Sequence, residues 1–164
     1  MTPEQFQSQL RRQEPAPAYL FLGPEDYQRD RARRALIERA LAPDEREDGL
    51  RRHDLEEVSL AAVVEDAREL TLFSPKRVIL VSRAEAALPR GRAAASSGEE
   101  EEGGTRDSGG GLLESYLKDP TPGTVLVFEC ARYEFEGEDK AKVERVRKFY
   151  AAVPATVEFP RYDV

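Results

Sequence analysis

The chain has 164 residues, 40% of them hydrophobic and 35% charged, with a formal net charge of −7. That length suffices for one domain with a real core, and the composition is too apolar for a disordered chain. No apolar run reaches the length of a membrane span, the opening MTPEQFQSQL has no signal-peptide core, and the single Cys130 cannot form an internal disulfide, so a soluble protein of the reducing cytoplasm is expected. One cysteine and one histidine, His53, exclude the usual zinc ligand sets, and no spaced acidic loop suggests magnesium or calcium, so no metal and no cofactor are expected. The acidic balance argues weakly against a stand-alone DNA-binding module, because the run Glu99 to Glu102 alone supplies four of the negative charges.

Five strand candidates alternate with helix candidates. AYLFLG, Ala18 to Gly23, is a short apolar strand ending in Gly-Pro, and Glu25 to about Leu41 reads as a helix with Leu36, Ile37, Ala40 and Leu41 on one side. The arginines of that helix, Arg29, Arg31, Arg33, Arg34 and Arg39, spread around it, which predicts a solvated helix rather than a DNA track. LRRHDLEEV holds a short second strand, with His53 expected in solvent between charged neighbours. Ser59 is a good N-cap for LAAVVEDAREL, and KRVILVS, Lys76 to Ser82, is a buried-type strand rich in β-branched residues. Residues 93–111 are rich in Gly, Ser and Glu with no large apolar side chain, and read as a flexible surface insertion. A short helix (LLESYLKD), a strand (TVLVFEC), a helix from about Asp139 to Ala152 and a last strand (ATVEF) complete the chain. The alternation predicts an α/β domain over residues 1–164 with a mainly parallel, five-stranded sheet covered on both faces. The ending FPRYDV reads as the edge of one domain of a longer protein.

In such folds ligands gather at the carboxyl ends of the strands. GPEDYQRD, from Gly23, stands where a phosphate loop would stand, but a working loop follows GxxxxGK[ST]. Here Gln28 replaces the second glycine, Arg29 the lysine and Asp30 the hydroxyl residue, while Glu25 and Asp26 would repel polyphosphate. No Asp-Glu pair ends an apolar strand to hold magnesium, since VLVFEC offers only Glu129. Cys130 ends a buried strand and reads as an inert core thiol. No catalytic residue is assigned, and a binding module is expected.

LTLFSPKRVILV, Leu70 to Val81, carries the sharpest question. With helical spacing of about 100° per residue, Leu60, Val63, Val64, Ala67 and Leu70 share one face, the natural core stripe. Leu72 and Phe73 fall away from it, and Pro75 bars a smooth continuation. Burial preferences favour both side chains folding inward; the alternative is an exposed apolar pair, which usually marks a contact site.

AYLFLGPEDY, LTLFSPKRVILV about fifty residues later and LLESYLKDPTPGTVLVFEC together resemble the delta subunit of bacterial DNA polymerase III, a clamp-loader component. The resemblance spans roughly Pro17 to Phe159 apart from the insertion, which departs from the family pattern. It implies a three-layer P-loop NTPase core of the AAA+/RecA-like type without an ATP site. It also implies clamp binding in DNA replication, with Leu72 and Phe73 entering an apolar pocket of the ring-shaped sliding clamp, the beta subunit, to help open one interface. Thr71, Ser74, Lys76 and Arg77 flank the pair and join the expected contact set. This implied role reverses the preference for burial. The family's lid and collar, through which other clamp-loader subunits assemble, have no counterpart here, and DNA contacts are expected only within the assembled complex. The competing readings are a divergent P-loop NTPase or kinase using Arg29 for phosphate, and a purely structural domain with Leu72 and Phe73 buried.

Overall fold

The computed structural model describes residues 1–70, 72, 75–89 and 109–161. The predicted insertion therefore lies almost wholly outside the described residues. Helix α1 (Pro3–Arg12) precedes strand β1 (Ala18–Leu22) and helix α2 (Asp26–Ala40). A short helix α3 (Arg46–Gly49) leads into β2 (Leu50–Asp54), followed by α4 (Leu60–Arg68) and β3 (Arg77–Ser82). Then come α5 (Gly110–Lys118), β4 (Thr124–Cys130), α6 (Lys140–Phe149) and β5 (Ala155–Glu158).

All four strand pairings are parallel, in the order β2-β3-β4-β1-β5. The central strands are buried along almost their whole length because alternate residues enter two separate cores. Leu20, Leu22, Ile79, Val81, Leu126 and Phe128 pack with α4, α5 and α6. Tyr19, Phe21, Val78, Leu80, Val125 and Val127 pack on the other side with α1 and α2. The expected five-stranded, helix-covered α/β domain is thus present, including the second strand.

Helix α1 was not expected from the sequence. Its start is a capping box: Thr2 Oγ1 accepts from Gln5 N–H at 3.1 Å, and Thr2 N–H donates to Gln5 Oε1 at 2.8 Å. Its Phe6 is fully buried and meets Tyr19 and Phe21 edge-on, with centroids 5.2 and 5.4 Å apart. The helix packs beside α2 on the same face of the sheet.

Two other expectations are corrected. Helix α4 ends at Arg68, so Leu70 leaves the core stripe and is 84% exposed, while Leu60, Val63, Val64 and Ala67 are buried as expected. His53 is not a solvated side chain. It is half-buried, and its Nε2 lies 2.8 Å from Asp66 Oδ2, tying β2 to α4.

Candidate functional site

The two ends of the sheet carry different chemistry. At the carboxyl ends of the strands lies a cleft of about 630 Å³, lined among others by Arg29, Arg33, Arg52, Arg83, Glu85 and Glu129. The turn from β1 to α2 forms part of its rim. Gly23 has φ 127°, and a Cβ there would sit 2.4 Å from Phe159 O, so only glycine fits this close approach. Its N–H donates to Cys130 O at 2.9 Å, and Glu25 N–H donates to Phe159 O at 3.1 Å. The Glu25 carboxylate caps α2 by accepting from Tyr27 N–H at 3.2 Å and Gln28 N–H at 2.7 Å. The amides that would face an anion at a helix start are therefore engaged by the chain itself.

Arg29, the residue at the lysine position of a phosphate loop, is folded back over the same turn. It donates to Gly23 O at 3.0 Å and to Asp26 Oδ1 at 2.5 Å, and its Nε lies 3.3 Å from Glu129 Oε1. Arg33 grips Glu129 with both arms of its guanidinium, at 3.0 and 2.6 Å. Those hydrogen bonds hold the Arg33 guanidinium above its ordinary range against the opposing effect of burial. Glu129 is itself buried. Arg39 reaches across to Leu10 O at 2.9 Å and to Glu14. The expectation of a merely solvated arginine helix is corrected accordingly: Arg29, Arg33 and Arg39 make contacts beyond their own helix.

Cys130 closes β4 beneath this cleft with no exposed surface. Burial, and then the nearby Glu85 carboxylate, push its thiol up to about 12. A thiol so protonated at neutral pH is a poor nucleophile. Among the described residues no cluster of three or more His, Cys, Asp or Glu could hold a metal ion, and no helix is long and apolar enough to cross a membrane.

At the amino ends of the strands lies the segment between α4 and β3. Leu72 is 97% exposed, and with Leu70 it puts two large aliphatic side chains in solvent within three residues. Lys76 is also exposed. Thr71, Phe73 and Ser74 lie outside the described residues. Both feet of the segment are fixed. Arg77 N–H donates to Gly123 O at 2.8 Å, and Gly123, at φ 80°, allows Pro75 O to pass where a Cβ would stand 2.5 Å away.

Arg77 does not belong on the exposed contact surface, to which the sequence assigned it. It is 1% exposed and turns inward beneath α4. Its guanidinium donates to the carbonyls of Asp66, Ala67 and Glu69 at 2.8, 3.1 and 2.8 Å, and to Asp66 Oδ1 at 3.1 Å. A helix end leaves its last carbonyls short of intrahelical partners, and a buried cation suits the negative end of the helix dipole. Sequence reasoning found the arginine but not its direction, because nothing local marks a β3 residue as the cap of α4.

The Bacillus subtilis DNA clamp loader delta protein (YqeN) is similar in structure, with a TM-score of 0.68 and 19% sequence identity. The match covers 99% of the present chain and 43% of that one, so the chain spans less than half the length of this structural relative. At that identity the likeness shows the fold alone. No curated protein sequence matches the chain. The family described as DNA polymerase III, delta subunit, matches residues 19–151. Because that match takes in most of the chain, from β1 to the end of α6, the chain belongs to the DNA polymerase III delta subunit family.

Proposed function

We propose that this chain is a clamp-binding domain that acts in DNA replication. Leu72 and Phe73 enter an apolar pocket of a ring-shaped sliding clamp and help open one of its interfaces. The observation that carries this reading is the 97% exposure of Leu72 on a segment whose two feet are fixed. A large aliphatic side chain held in water has no stabilising role in the free domain, whereas its burial in a partner is worth roughly 1.5 to 3 kcal/mol. Lys76 lies beside it in solvent, and Thr71 and Ser74 complete the contact set. A domain that opens a ring must fit the open ring better than the closed one, since a ligand shifts an equilibrium only by its differential affinity.

The parallel order β5-β1-β4-β3-β2, with the β1–α2 turn at the carboxyl end of the sheet, supports a P-loop-type core of the AAA+ kind. The engagement of that turn's amides by Glu25, Cys130 and Phe159, and of Arg29 by Gly23 and Asp26, supports a domain that neither binds nor hydrolyses ATP. It argues against the kinase or NTPase alternative, in which Arg29 would have to meet phosphate. Other clamp-loader subunits supply the nucleotide chemistry, and DNA is met only in the assembled complex.

Calorimetric titration of the chain into the clamp of the same organism tests the reading. The wild-type chain binds, whereas the Leu72→Ala/Phe73→Ala variant, shown to be folded by its thermal transition, does not. Absence of binding by the folded wild-type chain, or equal binding by the variant, overturns it.

A further inference from the structure

Helix α2 carries its arginines in two sets. Arg29 and Arg33 turn to Glu129, and Arg39 reaches the end of α1. Arg31 and Arg34 stand exposed on the flank that borders α1. On that flank Tyr27, Arg31, Ala35 and Glu38 follow one another at helical spacing and share a face. Across from them α1 contributes Gln7 and, one turn on, Leu10 and Arg11. Two hollows of about 340 and 550 Å³ lie between the helices, and Gln7, Ala35 and Glu38 border both, so they form one groove. It stays open because Ala35 is small and because α1 sends Phe6 and Leu10 down to the sheet.

The groove keeps polar groups that the chain itself does not use. Arg34 is paired with Asp30 at 2.9 Å and Arg39 with Glu14 at 3.2 Å, but among the described residues no ion pair forms at Arg11, Arg31 or Glu38. Tyr27, 70% exposed, stands at one end as an aromatic wall. Four arginines against two carboxylates, Asp30 and Glu38, make the groove a cationic strip on a chain of net charge −7.

These groups sort the occupants. A nucleic-acid strand is anionic at every step, so Asp30 and Glu38 inside the groove oppose it. An acidic peptide in extended form meets both kinds of group. Its carboxylates pair with Arg11 and Arg31, its backbone N–H groups donate to Glu38, and an apolar side chain between them covers Ala35.

We infer that the groove between α1 and α2 is a docking surface for an acidic peptide segment of a partner protein, with Arg11 and Arg31 receiving its carboxylates. The assignment is independent of the clamp-binding reading, because α1 and α2 cover the face of the sheet opposite α4.

Amide chemical-shift mapping on the whole chain tests it, with the capped hexapeptide EDLLDE as probe. Its neutral counterpart QNLLNQ and a ten-residue oligothymidylate serve as the other two arms. EDLLDE shifts the amides of Gln7, Arg11, Arg31 and Ala35, and leaves those of Lys76 and Arg132 in place. QNLLNQ binds about tenfold more weakly, and so does EDLLDE to the Arg11→Gln/Arg31→Gln variant. Both arginines are exposed, so this variant keeps the wild-type thermal midpoint; if it does not, Arg31→Gln alone replaces it, with a loss of about threefold. Raising the salt concentration weakens the binding of EDLLDE as well. Absence of shifts in the groove at millimolar probe overturns the inference. Equal binding by QNLLNQ, or undiminished binding by the folded variant, overturns it too. Tighter binding of the oligothymidylate in the same groove assigns the surface to nucleic acid and overturns the peptide assignment.

Discussion

The carboxyl and amino ends of the same sheet solve opposite problems. At the carboxyl end the helix start and the nearest arginines are spent internally: the helix start is capped by Glu25, and Arg29 and Arg33 of α2 close on Glu129 and on the turn. At the amino end the chain spends its polar contacts on fixing two feet and leaves aliphatic side chains in water between them. A binding site is recognisable by what remains unsatisfied. Charge satisfied internally has little left to offer a ligand, whereas exposed apolar surface on a fixed frame retains its full driving force.

This contrast breaks most visibly at the amino end. Replacing Leu72 and Phe73 together by alanine removes roughly 3 to 6 kcal/mol of clamp affinity, a loss of at least about a hundredfold in Kd. Leu72→Ala alone leaves the thermal midpoint within about 2 °C of wild type, as for most exposed substitutions. A calorimetric titration beside a thermal melt checks both, and a large fall in the midpoint would return Leu72 to the core.

At the carboxyl end the same operation is expected to hit stability. Glu129→Ala leaves the Arg29 and Arg33 guanidinium groups facing each other without their shared carboxylate, and costs about 3 kcal/mol in urea unfolding. It also leaves the two guanidinium groups open to an external anion in place of the carboxylate. Added inorganic phosphate should therefore raise the melting temperature of the variant more than that of the wild type. Equal responses would mean that Glu129 does not stand in for an external anion.

Cys130 gives a smaller, pH-dependent effect. Its thiol is pushed up to about 12 in the folded chain from a reference near 9, so above pH 9 the unfolded state releases a proton that the folded state retains. Stability contributed by the neutral thiol is complete below pH 9 and falls as pH rises towards 12, by up to ~1.4 kcal/mol per pH unit. Comparing wild type with Cys130→Ala between pH 8 and 10.5 isolates this slope, which the variant should lose. The smallest effect lies farthest from both sites: Thr2→Ala removes the α1 cap and costs about 1 kcal/mol in the same unfolding assay.

The sheet was legible because its strands are short apolar runs separated by punctuated polar segments, and burial on both faces demands that pattern. Even the charged β2 was readable from its place between two helices. Helix α1 was written in the sequence too, as Thr-Pro-Glu-Gln followed by Phe6 and Leu10 at helical spacing, a capping box overlooked because the segment is so polar. The fate of Leu70 was not legible, since periodicity describes a helix by itself and the arginine bonded to the end of α4 lies eight to eleven positions downstream on another element. His53 and the α2 arginines were misjudged for the same reason: their partners, Asp66 and Glu129, are distant in sequence. Local pattern reports the faces of elements, whereas long charged side chains report how elements meet.

The attachment of the apolar segment to β3 also has a mechanical consequence. That strand lies inside the sheet, bonded in parallel to β2 on one side and β4 on the other. A load applied to β3 along its axis is carried by both ladders in shear, so many backbone bonds resist together instead of parting one at a time. The Arg77 clasp passes part of the same load to α4. A pull along this strand therefore meets the stiffness of the whole sheet.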